Sequence, residues 1–443
     1  MLYRFSVENF KSFKERSEIS FIPHQDTVRH VADVGSDVPV LRAAVIYGAN
    51  ASGKSNFIKA IDFAQDFILD NRKLQEGTNQ AYRLDAEGVR TPSVFTFEIK
   101  VEEDLFQYGM AVSFKEAVVL EEWLFRLDER EEWVELFSRS YDKDSQKYEL
   151  DFCLETGNSN KTRYEVYRED LSKEARKLVL TELAQKEMEA DGFNEALGRV
   201  YQWFEKLMVI FPHSEYNLLG AAVKDLEAVN RLYKSYFKIF DIDIENINIS
   251  PVPQSLVPIP QPVLTRIKVD LQRKEEANQI AMLNGNGRDF LVRLDDEGDL
   301  EFSEVKFMHK NDQYEVELNK GEESDGTQRL FDLIPLLGYV INEDRVVIVD
   351  EIDRSLHCLL TREIFEYFFR KSQVKRSQLI CTTHDVLLLD LALLNKEEIW
   401  FVDKKDKKSV LYPLDKFKIG NAINIDKNYL LGRYDATPSF KNE

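Results

Sequence analysis

Only three cysteines, Cys153, Cys358 and Cys381, occur in 443 residues. They are odd in number and widely spaced, with no CxxC pair and no Cys/His cluster at metal-ligand spacing. That excludes a disulfide framework and a zinc site, and predicts a reducing, cytoplasmic setting. Proline and glycine are scarce, 12 and 18 residues, too few for a disordered or fibrous chain. Long apolar runs are missing: the longest, Leu330 to Ile341, already carries Asp332 and falls short of the roughly 18 residues a membrane span needs. The opening MLYRFSVENF lacks the apolar core of a signal peptide, so neither membrane insertion nor secretion is expected. Positive charge is in deficit, 59 Lys+Arg against 79 Asp+Glu for a net charge of −20, which argues against a general nucleic-acid-binding field. A local basic strip is left open by residues 402–443, where Lys and Arg outnumber the acids; the plainer reading is a solvated face of mixed charge. What the chain does have is 43% hydrophobic residues, enough for a large core in one large or two ordinary domains.

Periodicity divides the chain. LYRFSVENF and SEISF alternate like two strands of a hairpin joined by KSFKER. A buried strand follows at Ala43 to Tyr47, then a small-residue loop, then a helix whose apolar positions Phe57, Ile58, Ile61, Ala64 and Ile68 share one face. From about Ser93 to Phe152 the runs SVFTFEIKV, FQYGMAVSF and WVELFSRSY predict an antiparallel β region. Residues 170–207 turn helical and charge-rich, with a second helix predicted over about 221–240. The stretch SPVPQSLVPIPQP, 250–262, reads as an extended connector with polyproline character, its alternative being a partner-docking segment. In DFLVRLDDEGDLEFSEVKF the DDEGD cluster reads as a hairpin turn between strands, ahead of a metal site.

The chemistry concentrates in four places. Gly48-Ala49-Asn50-Ala51-Ser52-Gly53-Lys54-Ser55 fits GxxxxGK[ST] after a predicted strand and at a helix start, the context in which backbone N–H groups cradle phosphates. In that arrangement Lys54 reaches the β/γ-phosphates and the Ser55 hydroxyl ligates Mg²⁺. Far downstream, Val346-Val347-Ile348-Val349 delivers Asp350 and Glu351 to the end of a buried strand. Asp350 is the candidate for the Mg²⁺ shell, and Glu351 for polarising the attacking water. Shortly before it, Ser324-Asp325-Gly326-Thr327-Gln328-Arg329 opens an amphipathic helix, a second anion-favouring turn, with Pro335 expected to kink that helix without ending it. His384 closes the apolar strand Gln378 to Thr383 and reaches the γ-phosphate if its strand lies beside the one carrying the acids.

This order of phosphate loop, long insertion, Ser-x-Gly turn, Asp-Glu strand and His strand resembles the ABC-type ATPase heads of the SMC and RecF group. Asn9-Phe10-Lys11-Ser12-Phe13, and Asn56 after GKS, are similar to that group too. Within it, GANASGKSN, EESDGTQRL, DEIDRSLH, TTHD and YLLGRYDATP look most like AAA-family ATPases of restriction and phage-defence loci, of the RloA, AbiLi and PARIS kinds. The resemblance implies an α/β P-loop ABC-type ATPase head with an antiparallel β subdomain and an inserted helical subdomain. The division expected is 1–165 for the N-terminal lobe, 166–285 for a helical insertion and 286–443 for the C-terminal lobe. It implies ATP and Mg²⁺ as cofactors and Gly48 to Asn56 as the nucleotide-binding residues, with Lys54, Glu351 and His384 catalytic and Ser55 and Asp350 at the metal. Ser324 and Gly326 form the signature turn that contacts ATP held by another protomer, so a homodimer or higher homo-oligomer closes through an ATP sandwich. Asp325 replaces the Gly of the usual SGG turn and His357 stands where Asp is frequent; these departures imply a slow ATPase working as a timer or clamp.

Relatives of the overcoming-lysogenization type add a Toprim nuclease after the His strand; none is expected in the residues that follow it here. The DxD match Asp241-Ile242-Asp243 lies in an alternating, strand-like stretch before the signature, and Pro212-His213-Ser214-Glu215 reads as a loop. The expectation is an ATP-dependent sensor or regulator that controls a separate effector protein, a nuclease encoded nearby, in antiviral defence, with nucleic acid secondary and no membrane. The alternatives are a RecF-type DNA-binding ATPase of repair and a self-contained nuclease in the insertion.

Overall fold

The computed structural model describes the chain apart from residues 33–38, 70–73, 75–78, 143, 146, 155–158, 213–215, 219–225, 274–279, 373–375, 419–423 and 438–443. It separates into two units, Met1–Val209 with Arg345–Asp350 and Arg376–Glu443, and Ile210–Asp344 with Glu351–Lys375.

In the first unit, four short apolar segments, Val346–Val349, Gln378–Thr382, Ala43–Tyr47 and Ile399–Lys405, lie side by side in that order and parallel. The first three are buried at every position, as continuous Val/Ile-rich runs must be when both faces of a parallel sheet are covered. Lys408–Pro413 adds an antiparallel edge. The helix Lys54–Leu69 buries Phe57, Ile58, Ile61, Ala64 and Ile68, the face its periodicity predicts. A seven-stranded antiparallel sheet runs from Ser17–Ser20 through Leu2–Glu8, Ser93–Val101, Asp104–Ser113, Val118–Leu127 and Trp133–Asp142 to Lys147–Phe152. The two sheets meet at Gln378, whose buried amide accepts from Leu2 N at 2.6 Å and donates to Leu2 O and Leu41 O at 2.9 Å.

The helices Lys161–Leu171, Val179–Ala184 and Gly192–Lys206 pack within this same unit. Glu122, fully buried on a strand, accepts from Val179 N at 2.6 Å and Leu180 N at 3.0 Å, a charged cap for a helix start. Arg139, 2% exposed, lies 3.9 Å from that carboxylate and donates to the carbonyls of Leu171, Glu174 and Lys177. Gln65 donates to Phe204 O and Leu207 O at 2.7 Å. These contacts tie residues 161–206 to the sheets, so the units are cut differently from the expected division at 165 and 285.

The second unit is a five-strand antiparallel path, Tyr216–Leu218, Ala281–Gly285, Arg288–Leu294, Leu300–Lys310 and Asn246–Val252, with Glu315–Leu318 paired on Leu300–Lys310. The Asp295–Asp299 connection is a hairpin turn: Asp295 accepts from Glu297 N and Asp299 N, and Gly298 has φ +79°. Leu226–Ile239, Gln261–Arg273, Asp325–Asn342 and Cys358–Lys371 are its helices. Pro335 lies inside Asp325–Asn342, which continues through it.

Two expectations are corrected. The proline-rich stretch is not all connector: Ser250–Val252 completes an edge strand, and Gln261 and Pro262 open a helix. An edge strand tolerates a missing N–H, and the first helical turn has no use for it. The strand expected over 240–250 begins only at Asn246; Asp241 and Asp243 sit exposed in the turn before it. Of the predicted helix 221–240, residues 221–225 lie outside the described residues, as do His213, Ser214 and Glu215. No helix among the described residues is long and apolar enough to cross a membrane.

Removing one partner of a buried ion pair costs about 3–5 kcal/mol. Arg139→Met should therefore lower the urea midpoint of the first unit markedly, and adding Glu122→Gln should restore part of the loss, both read by circular dichroism.

Candidate functional site

Parallel pairing carries three strand ends to one edge, where ligands bind in open α/β sheets. Thr382 pairs with Ile46, and Val349 with Cys381, so Gly48, Asp350 and His384 all leave the sheet at its carboxyl side. The His strand lies directly beside the acid strand, which is the condition the sequence reading set for His384.

The loop 48–55 is shaped by what surrounds it. A Cβ on Gly48 would sit 2.3 Å from Val402 O, and one on Gly53 2.2 Å from Ser409 Oγ and 2.8 Å from Ser12 Oγ. Gly53 also has φ +121° and Ala51 φ +61°, the left-handed turns that aim successive N–H groups inward. Ser12, Asn56 and Ser409 form a brace behind it: Asn56 Nδ2 donates to Ser12 Oγ at 2.9 Å, and Ser409 N donates to Ser12 O at 2.8 Å. The Ser409 hydroxyl also bonds to Ser12 Oγ and Ser52 O. This accounts for the NFKSF motif: Phe10 and Phe13 are wholly buried, and Ser12 supports the loop.

Lys54, 6% exposed, donates to Gly48 O at 2.8 Å and Ala49 O at 3.4 Å, and faces His384 Nε2 at 3.1 Å. An ammonium only donates, so Nε2 carries a lone pair and the ring proton sits on Nδ1. Asp350, 3% exposed, accepts from the Thr382 hydroxyl at 2.6 Å, which fixes the carboxylate's rotation. Thr382 and Ser409 are the residues the sequence reading passed over. Thr382 stands two positions before His384 in TTH, a readable signal; Ser409 carries none, because its proximity is purely tertiary.

The second unit holds the other predicted residues. Ser324 caps the helix Asp325–Asn342, its hydroxyl accepting from Thr327 N at 3.2 Å, and is itself exposed. A Cβ on Gly326 would lie 2.9 Å from Ser355 O, so this glycine lets the turn approach the segment after Glu351. Glu351 adopts φ +50°, and its carbonyl accepts from Arg329 at 3.2 Å. Asp325 occupies the first turn, where its charge favours the helix dipole. His357 caps Cys358–Lys371 by accepting from Leu359 N at 3.2 Å, the same task an Asp would perform.

The residues fit a nucleotide and its metal. The buried Ser52 hydroxyl has no partner among the described residues, the two glycines leave a cradle a side chain would fill, and Ser55 with Asp350 offers the hard oxygen donors that Mg²⁺ prefers. Among the described residues no group of three or more His, Cys, Asp or Glu is placed to hold a metal ion.

Gly53→Ala should weaken ATP-analogue binding at least about tenfold, through clash and backbone strain together. Adding Ser409→Gly removes the nearer clash and leaves the contact with Ser12 Oγ and the backbone strain, so a titration should show only partial recovery.

No curated protein sequence matches the chain. Among solved structures, it resembles an SMC head bound to the C-terminal winged-helix domain of ScpA, at 13% identity and TM-score 0.40, over 93% of this chain and 97% of that one. It also resembles the SMC head domain from Thermotoga maritima, at 14% identity and TM-score 0.36, over 94% and 99%. The family described as "AAA domain, putative AbiEii toxin, Type IV TA system" matches residues 43–157 and 180–390. That is more than half of the sequence, and the chain belongs to this family of P-loop ATPase domains.

Proposed function

We propose that the chain is a slow ATPase that senses or times a signal and controls a separate effector protein, a nuclease, in antiviral defence. The observation that carries the ATPase part is the meeting of Lys54 with His384 at the sheet edge where Asp350 is held by Thr382. The family's description as a toxin–antitoxin component supports the defence setting.

In this reading the loop 48–55 binds the β/γ-phosphates of ATP through backbone N–H groups, and Lys54 donates to them. A bound Mg²⁺, held by Ser55 and Asp350, would neutralise charge on the phosphates. Glu351 orients the attacking water and accepts its proton, and His384 donates to the γ-phosphate from the neighbouring strand. Ser324 and Gly326, on an exposed helix start, meet ATP bound by a second copy, so hydrolysis reports on assembly. The exposed acid Asp325 opposes the close approach of a phosphate to that turn, which supports a slow cycle.

A DNA-binding ATPase of the RecF type is the second reading. The net charge of −20 weighs against it, because phosphate neutralisation by Lys and Arg supplies most non-specific affinity.

Glu351→Gln should retain ATP while turnover falls at least about a hundredfold from a wild-type rate below about 1 s⁻¹. Affinity purification of that variant with ATP and Mg²⁺ should return a dimer or larger assembly with a stoichiometric protein partner. Duplex DNA on a bare dimer, lost steeply with salt, would instead establish the clamp.

A further inference from the structure

Residues 319–323 lead from the strand Glu315–Leu318 to the turn at Ser324, and this short connection buries a charge. Lys320 is only 6% exposed. Its ammonium lies 3.3 Å from the carboxylate of Asp289, fully buried on the strand Arg288–Leu294, and donates to Asp332, two turns along the helix Asp325–Asn342. Burial alone would lower the pKa of this ammonium, but the two carboxylates outweigh it and hold it above its ordinary value. The neighbours of Lys320 are held as well. Gly321 N donates to Gly287 O at 2.7 Å, and a Cβ on Gly321 would lie 3.1 Å from Gly287 Cα, so glycine lets the connection lie against the hairpin turn at 286–287. Asn284 Nδ2 donates to Asp289 Oδ1 at 2.7 Å, which fixes the acid on that same hairpin. Glu323 Oε1 lies 2.5 Å from His309 Nε2, and Glu323 O accepts from Gln328 Nε2 at 2.8 Å.

One cation therefore joins three pieces of the second unit: the connection that enters the turn at Ser324, the helix that leaves it, and a strand of the sheet. The two sides of the turn cannot part without drawing an ammonium away from a buried carboxylate, which is costly. Ser324 is exposed, and its own side-chain bonds reach no farther than Thr327, so its position is set by what precedes and follows it. We propose that Lys320 is a positioning residue for the turn Ser324 to Gly326, its ammonium setting where that turn stands when it meets ATP bound by a second copy. This role rests on the ATP-sandwich reading above; the tether itself does not.

The test uses the full chain carrying Glu351→Gln, with ATP and Mg²⁺, and reads self-association by sedimentation velocity. Lys320→Met removes the ammonium and keeps the length. Adding Asp289→Asn removes the buried charge left behind, so that stability returns while the tether does not. Leu264→Ala is the control: Leu264, 2% exposed in the apolar cluster with Val257, Ile267 and Leu271 of the same unit, supports the fold away from the turn. Lys320→Met should weaken association at least about tenfold, and the double variant should stay as weak while its thermal midpoint rises. Leu264→Ala should leave association within about twofold, and mant-ATP binding to the monomer should hold within about twofold in every variant, because the phosphate loop belongs to the first unit. Amide exchange in the peptide 319–328 should accelerate at least about tenfold in both Lys320 variants and not in Leu264→Ala. Unchanged association in Lys320→Met, its return in the double variant, or an equal loss in Leu264→Ala overturns the positioning role. A Glu351→Gln parent that stays monomeric with ATP sinks the sandwich reading instead. The exchange comparison then decides the tether: acceleration confined to the Lys320 variants upholds it, and unchanged or equal exchange overturns it.

Discussion

One buried amide holds the first unit in register. Gln378 accepts from Leu2 N and donates to Leu2 O and Leu41 O, so a single side chain fixes the first strand of the antiparallel sheet, the approach to the phosphate-loop strand and the start of the central parallel strand. An orphaned amide in a dry interior is expensive, and Gln378 satisfies these backbone groups at once. The same strand ends, four residues on, at Thr382, which holds Asp350, and then at His384, which faces Lys54. Base and tip of the site hang on one strand, and a slip of its register by one residue would turn both to the wrong face.

Around the loop the supports come from distant parts of the chain. Ser12 precedes it, Ser409 follows far downstream, and Val402 closes the space beside Gly48. Each contributes hydrogen bonds or a steric wall, on the order of 1 kcal/mol for each bond. Together they define a loop conformation that the glycines alone would leave loose, since glycine has the most conformational freedom to lose. The departures from the resembled pattern are understandable in the same terms. His357 keeps a helix cap with an imidazole acceptor where a carboxylate is frequent, and Asp325 exchanges a close-approach glycine for a charge that suits the helix dipole.

What was legible in the sequence follows from how local the cause is. The loop, its helix face, the buried Val346–Val349 run and the DDEGD turn are set by residues adjacent in the chain, and their patterns read directly. The order of the parallel strands was not in the pattern, because a continuous apolar run says that both faces are covered and not which strand lies beside it. The proline count misled for a related reason: Pro251 and Pro262 are tolerated where an edge or a first turn asks for no N–H, which only the sheet order and the helix start reveal. Residues 170–207 read as part of a separate helical module because the charge pattern changes there; the buried Glu122 and Arg139 that tie the helices to the sheet lie on strands earlier in sequence.

The backbone at Glu351 shows how the second unit constrains its own chemistry. A non-glycine residue at φ +50° carries a cost of about 1–2 kcal/mol, so something must hold it there. Arg329, 7% exposed on the helix Asp325–Asn342, donates to the Glu351 carbonyl, and Arg354 N donates to the same oxygen at 3.1 Å. Gly326 of that helix start lies against Ser355, itself at φ +61°. The turn bearing Glu351 and the helix start bearing Ser324 are therefore neighbours within this unit, joined by the Arg329 side chain and by the close approach of Gly326 to Ser355.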